Sequence, residues 1–238
     1  MRRFCAILFS MAGLCAGAQI ITTTLTYSVH PPLVKSAKPP VLILLHGYGS
    51  NESDLFLFGS RLDSRLLTFS LRGPLPQNQG YCWFPIQFRE RGELGYDYSA
   101  AVNSRSKILS FISNACRAFG ADSTQVFVLG FSQGAIMGYE LACYAPGKVK
   151  AVIALSGRMM KETCQSNSNP LLKNVRFFIA HGTEDGVVNH NGSRAADSLL
   201  RAKKVHSVTF RSYKMGHTIV PAELEDIRSW LHANVKGN

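Results

Sequence analysis

Read only for apolar and polar positions, the chain is a series of short unbroken apolar runs separated by segments with helical spacing. Residues 41–45 (Val-Leu-Ile-Leu-Leu), 126–131 (Val-Phe-Val-Leu-Gly-Phe), 149–156 and 175–180 are such runs. They predict strands buried on both faces, as in a parallel sheet. Residues 22–29 alternate between polar and apolar, which predicts an edge strand, and residues 65–71 and 207–213 are read as further strands, the latter the last. Between them, Leu55, Phe56, Phe58 and Leu62 share one face of a helix that Asn51 or Ser53 can cap. Ala101, Ile108, Ile112 and Phe119 do the same over residues 99–119, with Gly120 as the stop. Further helices are predicted over residues 193–203 and 221–233, the last with Pro221 tolerated in its first turn. Strands alternating with helices imply one α/β domain, a mostly parallel central sheet with helices on both faces.

Two connections break this rhythm. The turn Arg72-Gly73-Pro74-Leu75-Pro76 opens a long irregular stretch holding Tyr81, Trp83, Phe84 and Phe88. So many aromatics outside regular structure are expected to wall a binding site. Residues 157–174 are polar and carry no amphipathic helix. No large cap domain is therefore expected, and the site should be open.

Candidate chemistry centres on residues 126–137, where a β-branched run ends in Gly130-Phe131-Ser132-Gln133-Gly134 and small residues follow. This is the Gly-x-Ser-x-Gly pattern of a nucleophile elbow, a sharp strand-to-helix turn that exposes the serine. A serine hydroxyl is a weak nucleophile, so it needs a base, and the base an orienting acid. Around such an elbow the acid and the histidine follow the serine along the chain, each at the C-terminal end of a strand. Asp185 follows the strand ending at Ala180, with Glu184 as its rival, and His217 follows the last strand. His46 and His181 each precede a glycine at a strand end, where a ring more often bonds backbone. His30, His190 and His232 fall in loop or helix-surface contexts, and His206 lies at the wrong end of its strand. The glycines of His46-Gly47-Tyr48-Gly49 allow close backbone approach, so the N–H groups of Tyr48 and Gln133 are the expected oxyanion donors.

Composition and charge change the picture at the N-terminus. Arg2-Arg3, an apolar run over residues 4–15 and the small residues Ala16-Gly17-Ala18 form a secretory signal pattern. Residues 1–18 are read as a signal peptide and 19–238 as a single catalytic domain, exported to the periplasm or medium. The net charge of +11 falls by two with Arg2 and Arg3. The basic residues are scattered without interleaved aromatics, so no nucleic-acid partner is expected. No later run is long and apolar enough for stable membrane insertion, and a homodimer is left open. Cys82, Cys116, Cys143 and Cys164 remain after the signal, with no metal-ligand spacing among them. Neither a metal nor a cofactor is expected, and the partner is a small-molecule ester.

Taken together, Leu-His-Gly-Tyr-Gly at 45–49, Arg-Gly-Pro at 72–74, Trp-Phe at 83–84, Gly-Phe-Ser-Gln-Gly at 130–134, His-Gly-Thr-Glu-Asp at 181–185 and Gly-His at 216–217 resemble the phospholipase/carboxylesterase group of small α/β-hydrolases, which includes the acyl-protein thioesterases. The resemblance implies an α/β-hydrolase fold, nucleophile Ser132, acid Asp185, base His217 and oxyanion donors at Tyr48 and Gln133. The cytosolic thioesterases lack a signal peptide. That departure favours an exported carboxylesterase acting on short to medium acyl esters over a protein deacylase.

Overall fold

The computed structural model describes residues 21–88, 94–166 and 169–236. The expected signal peptide lies outside the described residues. Strands β1 (Tyr27–His30), β2 (Val41–Leu45) and β3 (Leu67–Leu71) flank a short helix α1 (Phe56–Gly59). Two small hairpins follow, β4 (Leu75–Gln77) with β5 (Gly80–Cys82) and β6 (Ile86–Phe88) with β7 (Leu94–Tyr96). The rest alternates: α2 (Tyr98–Ala118), β8 (Val126–Phe131), α3 (Gln133–Tyr144), β9 (Ala151–Leu155), α4 (Lys161–Gln165), β10 (Arg176–Gly182), α5 (His190–Ala202), β11 (Ser207–Tyr213) and α6 (Pro221–Asn234).

Seven strands form the central sheet in the order β1-β3-β2-β8-β9-β10-β11. Only β1 runs antiparallel to its neighbour. The doubly covered sheet follows from the unbroken apolar runs. Ile43, Val128, Val152 and Phe177 face one side with α2, α3 and α5, while Leu44, Leu129, Ile153 and Phe178 face the other with α6. A strand buried on one face alone would have alternated. Because β2, β8, β9, β10 and β11 all run the same way, their C-terminal ends gather along one edge, where open α/β sheets bind ligands.

Two connections differ from the sequence reading. The aromatic stretch after residue 72 is folded into the β4–β5 and β6–β7 hairpins, whose three-residue strands are too short for a period to show. The 157–174 connection contains α4 and a 3₁₀ turn at Pro170–Asn174. Neither is a large cap.

One buried group works against this fold. Glu223, in the first turn of α6, is fully buried, and among the described residues neither carboxylate oxygen makes a complete hydrogen bond although the Val220 N–H lies close. Burial pushes its pKa up from 4.5 to about 7. An acid with a raised folded pKa binds more protons folded than unfolded across that window, so stability falls as pH rises from 4.5 to about 7. Glu223→Gln should flatten this loss, which is at most about 3 kcal/mol. Denaturant melts of both proteins across that pH range check it. Parallel losses would show that Glu223 is not the cause.

Candidate active site

The site is built from strand ends. At the end of β8 the chain reverses sharply into α3 at Ser132, whose φ is 53°. A non-glycine residue holds that left-handed conformation only when its surroundings impose it. Here the imposition is steric and bonded. A Cβ on Gly130 would overlap the Gly134 backbone, and one on Gly134 would overlap the Leu45 carbonyl. The Ser132 N–H also donates to Leu155 O at 2.8 Å, fixing the turn to β9. Ser132 Oγ caps none of the α3 N–H groups and lines the cavity.

Loops after β10 and β11 bring Asp185 and His217 together across 32 residues of sequence, with His217 Nδ1 2.7 Å from Asp185 Oδ2. The acid is completely buried and the ring 16% exposed, so one end of the pair is dry and the other reaches the cavity. Asp185 Oδ1 accepts the N–H groups of Val187 and Val188, each at 2.9 Å. Burial alone would raise the Asp185 pKa, but the hydrogen bonds from His217, Val188 and Val187 outweigh it and hold the carboxyl below its usual value. The Phe131 ring packs on the His217 imidazole with centroids 4.8 Å apart, which joins the histidine loop to the elbow. Glu184, the rival acid, points outward with its side chain 58% exposed.

The loop after β2 completes the enclosure. Gly49 N–H donates to Tyr81 O and Ser50 N–H to Gly47 O, while among the described residues no acceptor takes the N–H of Tyr48 or of Gln133. Both residues line the cavity beside Ser132, and Gln133 is the first residue of α3, where backbone donors are unpaired and the helix dipole is positive. His46 holds this loop. Its Nε2 accepts the Gly73 N–H at 2.9 Å, so the proton sits on Nδ1 and is donated to Gly47 O at 2.7 Å. Burial lowers its pKa, in keeping with a neutral ring. Glu52 clamps Arg72 through two contacts of 2.6 Å, tying the same loop to the end of β3.

The cavity has a volume of about 310 Å³. Of the expected aromatic wall, Phe84 lines it. Tyr81 and Trp83 do not, which corrects their reading as substrate contacts. Trp83 is wholly buried and donates its indole N–H to His46 O, and Tyr81 bridges to Ser50. Phe88 lies on β6, and its side chain is outside the described residues. Two aromatics outside that expected set, Tyr96 and Phe131, also line it, and Ile86, Ile136, Met159, Met160, Val187 and Val188 supply aliphatic and thioether surface.

Three contributions went unread in the sequence. The Gln133 side chain accepts from Trp83 N–H at 2.8 Å and donates to Phe84 O at 2.7 Å, so the residue whose backbone faces the site also positions the wall. His181 braces the acid loop from below, with Nε2 2.8 Å from Val188 O and Nδ1 2.6 Å from Ser193 Oγ. Arg158 enters the cavity from the end of β9. A glutamine after a serine signals none of this, because its partners are 49 and 50 residues away.

Comparison with known proteins shows the family. A family model described as Phospholipase/Carboxylesterase matches residues 30–235. An acyl-protein thioesterase 1 from Yarrowia lipolytica is 26% identical over 216 residues, covering 85% of this chain and 95% of that protein. A lysophospholipase-like protein 1 from Mus musculus is 26% identical over 173 residues, 69% of each. Among solved structures, a Bacillus cereus carboxylesterase superposes with a TM-score of 0.78 at 22% identity, covering 90% of this chain and 96% of that one. At that identity the last match speaks for the fold alone.

Proposed function

Because the chain belongs to the phospholipase/carboxylesterase family and is an enzyme of the serine-hydrolase kind, we propose that it hydrolyses carboxylic esters of short to medium acyl chains through a Ser132–His217–Asp185 triad. The observation that carries the proposal is the 2.7 Å His217–Asp185 pair, whose histidine lines one cavity with the strained Ser132 and with Tyr48 and Gln133, whose backbone N–H groups have no acceptor among the described residues.

The reaction follows from the positions. Asp185 keeps the proton of neutral His217 on Nδ1, which leaves Nε2 as the base. Ser132 Oγ attacks the ester carbonyl as Nε2 takes its proton. The carbonyl oxygen becomes an oxyanion and is met by the N–H groups of Tyr48 and Gln133. As the ester C–O bond breaks, imidazolium returns the proton to the departing alcohol and an acyl-serine remains. Water, deprotonated by the same nitrogen, then releases the acid and restores Ser132.

Chain length tests the substrate class. Each buried methylene adds roughly 0.8 kcal/mol, so kcat/KM on nitrophenyl esters should rise until the cavity of about 310 Å³ is filled, then level off or fall. Butyrate to octanoate should be favoured over palmitate, without a jump at the micellar threshold. A palmitate optimum would overturn the short-acyl reading. Relatives named as acyl-protein thioesterases make the matched thioesters a necessary second series.

Export is part of the same reading, supported by the Arg2-Arg3 start, the apolar run and Ala16-Gly17-Ala18. The full chain should be recovered outside the cytoplasm with its mature N-terminus at residue 19. Retention of the uncut chain in the cytoplasm would refute it.

A further inference from the structure

The cavity wall carries one guanidinium that the reaction above does not use. Arg158 follows Gly157 directly beyond β9, and its side chain lies toward Tyr96, another lining residue, with Cζ 5.9 Å from the ring centroid. Several arginines have a carboxylate partner, as Arg72 has Glu52, Arg105 has Glu140 and Arg65 has Asp63. Arg158 has none within ion-pair distance among the described residues. Asp54, the one carboxylate among the described lining residues, is exposed and accepts from Ser50 Oγ. Arg158 is half-buried, and Met159, Met160 and Ile86 line the cavity with it.

Its backbone is fixed relative to the nucleophile. Gly157 packs so closely that an added Cβ would lie 3.1 Å from Ser132 O. Its carbonyl accepts from Ser193 Oγ at 2.6 Å, and Ser193 in turn meets His181. On the far side, Gly192 makes room, since a Cβ there would come within 2.9 Å of Arg158 Cβ. The root of the side chain is therefore held at a set place on the wall of the cavity that receives the ester, and its guanidinium is planar and bidentate toward carboxylates.

Building on the esterase reading above, we propose that Arg158 is a specificity-determining residue that binds a carboxylate carried by the substrate, making acidic esters, such as monoesters of dicarboxylic acids, the preferred class. The carboxylate can sit on the acyl or on the alcohol part, and two substrate arms separate these. The acyl arm uses nitrophenyl hydrogen glutarate, adipate and suberate against neutral isosteres in which an isopropyl group replaces the carboxylate. The alcohol arm uses 4-carboxyphenyl butanoate against 4-isopropylphenyl butanoate.

In one arm, Arg158→Gln should lower kcat/KM for the acidic ester about tenfold or more beyond its effect on the neutral isostere, chiefly through KM. Arg158→Lys should restore part of that difference, and about 0.5 M salt should erode it in the native protein. Equal losses on acidic and neutral esters in both arms would overturn the proposal while leaving the esterase intact. Failure of the native protein to cleave any ester in either arm would instead remove the esterase reading, and this inference with it.

Discussion

Ser132→Ala should leave a folded protein whose ester turnover is reduced about a million-fold, the loss seen when a triad nucleophile is removed. The substitution deletes only the attacking oxygen. Alanine keeps the Cβ that already tolerates a φ of 53°, so the strain of the elbow is unchanged. The bonds that hold the turn are main-chain, Ser132 N–H to Leu155 O and Ala135 N–H to Ser132 O, and both survive. Ser132 Oγ caps no α3 N–H, so no helix donor is orphaned. The stability change should therefore stay within about 0.5 kcal/mol, the range of substitutions that break no special interaction. Steady-state rates with a thermal melt of the same sample decide it. Retention of more than about a hundredth of the native rate would show that another group attacks.

Asp185→Asn should cost on the order of ten thousand-fold, through the tautomer of His217. The local bonds dictate how the amide must sit. Oδ1 accepts two backbone N–H groups, from Val187 and Val188, which an asparagine can satisfy only with its carbonyl oxygen. Its NH₂ is then turned toward His217 Nδ1, the nitrogen now 2.7 Å from Oδ2. A donor there draws the lone pair of Nδ1 and moves the ring proton to Nε2, so that this nitrogen can no longer take the Ser132 proton. Glu184→Gln should change the rate less than about twofold, because that carboxylate is exposed and among the described residues reaches only Lys214, at 4.0 Å, and exposed pairs contribute little. A large effect at Glu184 with a small one at Asp185 would reverse the assignment of the acid.

Wherever a residue's role depends on its own run of neighbours, the sequence is legible. The parity of Leu42, Ile43 and Leu44 already dictates a sheet covered on both faces, because an apolar side chain at every position needs a core on each side. Gly130-x-Ser132-x-Gly134 dictates the elbow for a local reason too, since the turn brings backbone where a Cβ would stand. Asp185 and His217 could be chosen from their places after strands, a matter of chain order. Edges were less legible. The short strands of the two hairpins span three residues each, which cannot display a period, and so the aromatic stretch read as irregular.

What the tertiary structure alone decided is which side chains meet across long separations. Trp83 and Phe84 look alike in sequence, both aromatic and adjacent. The fold buries Trp83 against His46 and leaves Phe84 on the cavity, because Gln133, some fifty positions on, grips the backbone between them. His181 reads as a backbone-bonded ring, and only packing shows that the backbone it holds belongs to the acid's own loop. Arg158 is one more scattered cation among 26 basic residues until β9 ends beside the nucleophile and turns it into the cavity. Periodicity and turn chemistry act over a few residues, so the sequence determined the sheet, the elbow and the candidate triad. The shape and charge of the space around them arise from contacts between strand ends distant in the chain, which no local pattern encodes.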